Sequence, residues 1–136
     1  MKVNSVLGVI SRDELGVVSP HEHIFIDLSA FFSLRPLECI AHPESEPVKM
    51  EHLGQLNRDP YALKDNLVMD HYETQLCEIL RFRSAGGRTV VDATMPGIGR
   101  DAGRLAKISK ESGLHVIMGT GYYVTSTHPD ALARMT

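Results

Sequence analysis

The chain has 136 residues, 43% of them apolar and 23% charged, with a formal net charge of −3 at pH 7. That length predicts one domain with a packed core, and no lysine/arginine stripe marks it for nucleic acid. No apolar run reaches the length of a membrane span, and the short apolar start, broken by Arg12-Asp13-Glu14, is not a signal peptide. Cys39 and Cys77 stand outside any close-spaced motif. They read as free thiols of a reducing cytosol, with one disulfide as the alternative, so a cytoplasmic protein is expected.

Val3 to Ile10 and Leu15 to Ser19 are short β-type runs, with turn residues at Ser11 to Glu14. They predict a small N-terminal hairpin leading into the next strand. Leu15 to Asp27 is apolar and rich in β-branched residues, the pattern of a buried strand. Residues two apart in a strand face one side, so His21 and His23 point together and Glu22 points away. Two neutral imidazoles side by side can bind one metal ion from a rigid base, although a complete zinc site needs three or four ligands. The plainer reading is a pair of hydrogen-bonded core or rim histidines.

Leu28 to Asp59 carries Pro36, Pro43 and Pro47 and has poor helical periodicity. It reads as a long irregular connection with short helical turns near 31–35 and 48–56, of the kind that is functional or disordered. Its His42 and His52 read as surface residues. Asp59-Pro60 predicts the opening of a helical segment. Asp70 and Glu73 approximate a capping box for a helix whose apolar stripe is Tyr72, Leu76, Ile79 and Leu80, ended by Gly86-Gly87. His71, in its first turn, reads as solvated. Arg88 to Thr94 is a second buried strand, and Met95 to Arg100 a turn. Asp101 to Ser112 is a helix with Leu105, Ala106 and Ile108 inward and Gly113 as its stop. Leu114 to Gly119 is a third strand, Thr120 to Tyr123 a loop, and Thr127-His128-Pro129 the start of another helix.

This alternation predicts parallel strands near 16–26, 88–95 and 114–120, joined by right-handed crossovers, with ligands at their C-terminal ends. Asp92 reads either as a carboxylate orienting an imidazole or as an acceptor for backbone amides. His115 reads as a core histidine. Tyr122 and Tyr123 either line a pocket mouth or pack. Gly97-Ile98-Gly99-Arg100-Asp101-Ala102 fits a dinucleotide fingerprint, but Met118 to Gly121 stands where the ribose-binding acid belongs. A tight turn with positive φ at the glycines is the better reading.

Gly16 to His23, Gly86 to Thr94, Gly97 to Asp101 and His115 to Tyr123, in that order, resemble the phosphotriesterase family of the amidohydrolase superfamily. The resemblance implies an α/β fold, a (β/α)8 TIM barrel. It also implies a binuclear metal centre, usually zinc, with another divalent metal as an alternative. The implied activity is hydrolysis of small-molecule esters: phosphotriesters, lactones or other carboxylic esters. His21 and His23 map onto ligands of the more buried metal. The remaining ligands of the family, a carboxylated lysine, two histidines and an aspartate, belong to barrel strands four, five, six and eight. A complete barrel takes about 250 residues. Residues 1–136 are therefore expected to be an incomplete N-terminal segment: a small hairpin and about three βα units. By this reading the segment carries no catalytic residue of its own and is inactive alone. A non-catalytic remnant or interaction fragment is the alternative, and a dinucleotide-binding module a weaker one. The expected partner is a small molecule rather than nucleic acid or membrane, and self-association into a homo-oligomer is compatible with the sequence.

Overall fold

The computed structural model describes residues 1–33 and 40–135. The chain opens with a hairpin, β1 (Lys2–Ser5) antiparallel to β2 (Gly8–Ser11). The predicted hairpin is present, but both its strands come from the first β-type run and one residue on either side of it. Ser5 and Gly8 make the turn: the Ser5 hydroxyl donates to the Gly8 carbonyl at 2.8 Å, and Gly8 has φ +133°, which glycine tolerates without strain. Leu15 to Ser19 goes instead to the main sheet.

That sheet has three parallel strands in the order β3 (Val17–Glu22), β6 (Gly87–Asp92), β7 (His115–Met118). β3 was expected to be buried and is not: Val17 is 61% exposed and Val18 37%. The reason is its place at the sheet edge, where β6 is its one neighbour among the described residues. Pro20 is tolerated there because an edge strand can spare an N–H. Val6 donates to the Val116 carbonyl at 2.9 Å and docks the hairpin turn on β7.

Two helices cover one face. α2 (Tyr72–Ser84) begins one residue later than the sequence indicated: His71, not Asp70, is the N-cap, its Nδ1 accepting from the Thr74 amide. α3 (Ala102–Ser112) starts at Asp101, whose carboxylate accepts from the Arg104 amide at 2.9 Å, and ends at Gly113 with φ +69°. Ile24, Phe25, Ile79, Val90, Leu105, Ile108, Leu114 and Val116 form the core between sheet and helices. Burying a leucine or isoleucine fully, as at Leu105 and Ile108, contributes about 1.5–3 kcal/mol.

The long connection is built rather than loose where it is described. Its ends are clasped by β4 (Ile26–Asp27) and β5 (Val68–Met69), paired antiparallel. Between them lie a short helix, α1 (Leu53–Leu56), and a small core of Ile40, Leu56 and Leu63. The helical segment expected from Asp59-Pro60 is a turn followed by a 3-10 turn at Lys64–Leu67. The helix expected after Thr127 is likewise reduced to 3-10 turns at Thr125–Thr127 and Leu132–Arg134. Cys39 and part of the 31–35 helical-turn prediction lie outside the described residues; Cys77 is a free, exposed thiol. Among the described residues no helix is long and apolar enough to cross a membrane.

Candidate functional site

Parallel pairing brings the C-terminal ends of β3, β6 and β7 to one side of the sheet. The backbone continues the pairing past the strands: Ala93 donates to the Glu22 carbonyl and Gly119 to that of Asp92, both at 2.7 Å. A cavity of about 420 Å³ opens there, lined by His21, His23, Met95, Ile98, Tyr122 and Tyr123, with Ile26, Leu28 and Ala93 completing the wall. The two imidazoles share this cavity, ring centroids 5.4 Å apart and set edge to face at 74°. Glu22 does not line this cavity: its carboxylate accepts from the Ser19 hydroxyl at 2.6 Å, where the pairing of β3 with β6 is irregular between Ser19 and Glu22. Tyr122 and Tyr123 do sit at the mouth. Tyr123 meets Phe31 edge-on at 6.3 Å, and Phe31 meets Tyr61 at 5.9 Å, so aromatic contacts tie this loop to the long connection.

Asp92 is fully buried and serves the backbone: Oδ2 accepts from the Ile24 amide at 2.8 Å and Oδ1 from the Thr94 amide at 3.0 Å. Of its two sequence readings, the amide acceptor is the observed one. The imidazole partner is Thr94, whose Oγ1 lies 3.0 Å from His23 Nδ1. Sequence reasoning passed over Thr94; its place just past the C-terminal end of a parallel strand was the available signal. With Nδ1 engaged, His23 has Nε2 left for a ligand. The donor chemistry fits a metal ion: two imidazoles on one wall of a cavity would supply half of a tetrahedral shell.

The dinucleotide reading fails on space. A Cβ on Gly97 would come 1.7 Å from the Thr127 carbonyl, and one on Gly99 would come 2.7 Å from the Asp27 amide. The glycines admit the chain's own backbone, with φ +91° and +94°, and the turn is tight for that reason.

The other histidines are scattered. His42 is exposed beside Glu44, His115 is half-buried, and His128 packs on Tyr122. His52 corrects the sequence reading: it is 1% exposed. Its ring and the carboxylates of Glu46 and Glu51 lie within 4.8 Å of one another, a grouping of ligand types. The hydrogen bonding favours a different role. His52 Nδ1 accepts from the Lys49 amide at 3.2 Å, capping a 3-10 turn, which leaves the proton on Nε2. Nε2–H faces Glu51 at 3.7 Å and Glu46 at 3.9 Å, and the Lys49 ammonium sits 2.6 Å from Glu46. The Lys49 hydrogen bond holds the Glu46 carboxyl below the usual carboxylate range. The cluster thus already holds a cation of its own, the Lys49 ammonium.

Parallel βα units with their polar residues gathered at the strand C-termini are the architecture of part of a (β/α)8 barrel. The chain belongs to the phosphotriesterase family, which it matches over residues 1–136. It is 40% identical over 138 aligned positions to the N-acetyltaurine hydrolase of Salmo salar, an alignment covering 99% of this chain and 39% of the relative. A resiniferatoxin-binding protein from Rhodobacter sphaeroides superposes with a TM-score of 0.91 at 34% identity, over 98% of this chain and 37% of that one. A lactonase from Listeria monocytogenes shares the fold with a TM-score of 0.66 at 24% identity, over 99% and 34%. The chain therefore spans well under half the length of the proteins it matches, and its fold is a partial barrel.

Proposed function

We propose that this chain supplies the first βα units, and two metal ligands, of a metal-dependent hydrolase of small acyl compounds. The observation that carries the reading is the placement of His21 and His23 on one wall of the cavity at the strand C-termini. Both imidazoles would hold a divalent metal, zinc being the family's usual choice. Bound there, the metal supplies Lewis-acid polarisation of an acyl oxygen and hydroxide near neutral pH. The chain's own residues meet the His23 ring, through Thr94, and wall the cavity with Met95, Ile98, Tyr122 and Tyr123. The resemblance first pointed to esters. The sequence identity to N-acetyltaurine hydrolases favours an N-acyl amide of the N-acetyltaurine type, with a lactone as the second reading.

Two imidazoles are half of a shell, so the 136-residue chain alone should turn over neither substrate. The test joins residues 1–136 to the remaining part of the Salmo salar relative and loads the chimaera with zinc. Acetate release from N-acetyltaurine, lost in His21→Ala and His23→Ala, is the expected result. Turnover by the isolated chain that survives both substitutions would overturn the reading.

A further inference from the structure

His23 presents two nitrogens, and the structure decides which one is available to the cavity. Nδ1 faces Thr94 Oγ1 at 3.0 Å, a contact between residues 71 positions apart in sequence. Thr94 is completely buried, as is Asp92. One Asp92 carboxylate grips the backbone on both sides of this contact, at the Ile24 amide immediately after His23 and at the amide of Thr94 itself. The hydroxyl is thus placed against the ring by the fold rather than by a free rotamer at the surface. A histidine that ligates a metal through Nε2 carries its proton on Nδ1, and that proton needs an acceptor when it is buried.

We propose that Thr94 is a positioning residue for the metal centre: its hydroxyl oxygen accepts the Nδ1 proton of His23, fixing the tautomer and ring orientation that leave the Nε2 lone pair facing the cavity. This rests on the reading of His21 and His23 as ligands. Asp92 acts one step further back, holding the two backbone segments that bring ring and hydroxyl together. Thr94 touches neither substrate nor metal, so its effect is read in metal affinity and ring chemistry.

The test compares wild type, Thr94→Val and Thr94→Ser, each checked for its fold by circular dichroism and titrated with zinc while the histidine ring nitrogens are followed by NMR. Valine keeps the volume and removes the acceptor; serine restores it. The expected result is zinc affinity about 10–100-fold weaker in Thr94→Val, the usual consequence of losing such a partner, with Thr94→Ser within a few-fold of wild type. In the zinc-bound wild type His23 should show a protonated, hydrogen-bonded Nδ1, and in metal-free Thr94→Val its ring-nitrogen shifts should move towards a mixture of tautomers. Zinc at the histidine pair with unchanged affinity and unchanged shifts in Thr94→Val overturns this inference alone. Zinc that leaves the His21 and His23 rings unperturbed in wild type overturns the ligand assignment, and this inference with it.

Discussion

Asp92 reaches the site without touching it. Its two oxygens satisfy two amides, Ile24 and Thr94, in the packed end of the sheet. Replacing Asp92 by alanine strands both donors away from water, and a buried donor without a partner costs about 1–3 kcal/mol. Asp92→Ala should therefore lose on the order of 2–5 kcal/mol of stability, read as a lower urea midpoint. A midpoint corresponding to less than about 0.5 kcal/mol, the range of an ordinary surface substitution, would mean that the two amides find other acceptors. That His21 and His23 reach one cavity was legible from their spacing of two, although His23 lies one residue past β3. Thr94 was not, because what it touches is fixed by the parallel register of β3 and β6, and a single sequence does not display register.

α2 and α3 show which signals carry at the scale of elements. Asp101 and Gly113 bracket α3 as the sequence indicated, since both act through local backbone groups. At α2 the same logic missed by one residue: histidine is an uncommon N-cap, and Asp70 looked the better candidate. The burial of His52 was missed for another reason. It depends on a cap inside an irregular connection where no periodicity guides the reading. The two helices meet where the Tyr72 hydroxyl donates to Glu111 at 2.9 Å and Lys107 lies over the Tyr72 ring at 3.9 Å. Burial first, and the Glu111 carboxylate second, push the Tyr72 phenol up to about 12. The fold therefore favours the protonated phenol, while an unfolded tyrosine ionises near about 10. The Tyr72 contribution to stability is complete below about 10 and is lost as pH rises from there through about 12. A phenolate absorbance titration should show one late tyrosine that is missing in Tyr72→Phe. All four tyrosines titrating together near about 10 would contradict it.

For the whole molecule, the governing fact is an open edge. β3 carries His21, with His23 just past its end, and stands at the rim of a three-stranded sheet with exposed valines, where a closed barrel would place another strand. Parallel α/β architecture was readable from the alternation of strand and helix patterns, because each crossover helix leaves its own periodic stripe. The exposure of β3 was not readable, because burial depends on tertiary neighbours that a single sequence does not display. The partial barrel sets the chemistry expected under the proposed function: two imidazoles would give an unfinished shell and weak metal affinity. The most direct measurement is an equilibrium zinc titration of the 136-residue chain against a chromophoric chelator, beside the double variant His21→Ala/His23→Ala. Weak binding in wild type that disappears in the double variant is the predicted result; equal zinc binding by the two proteins would contradict the assignment of His21 and His23 as metal ligands.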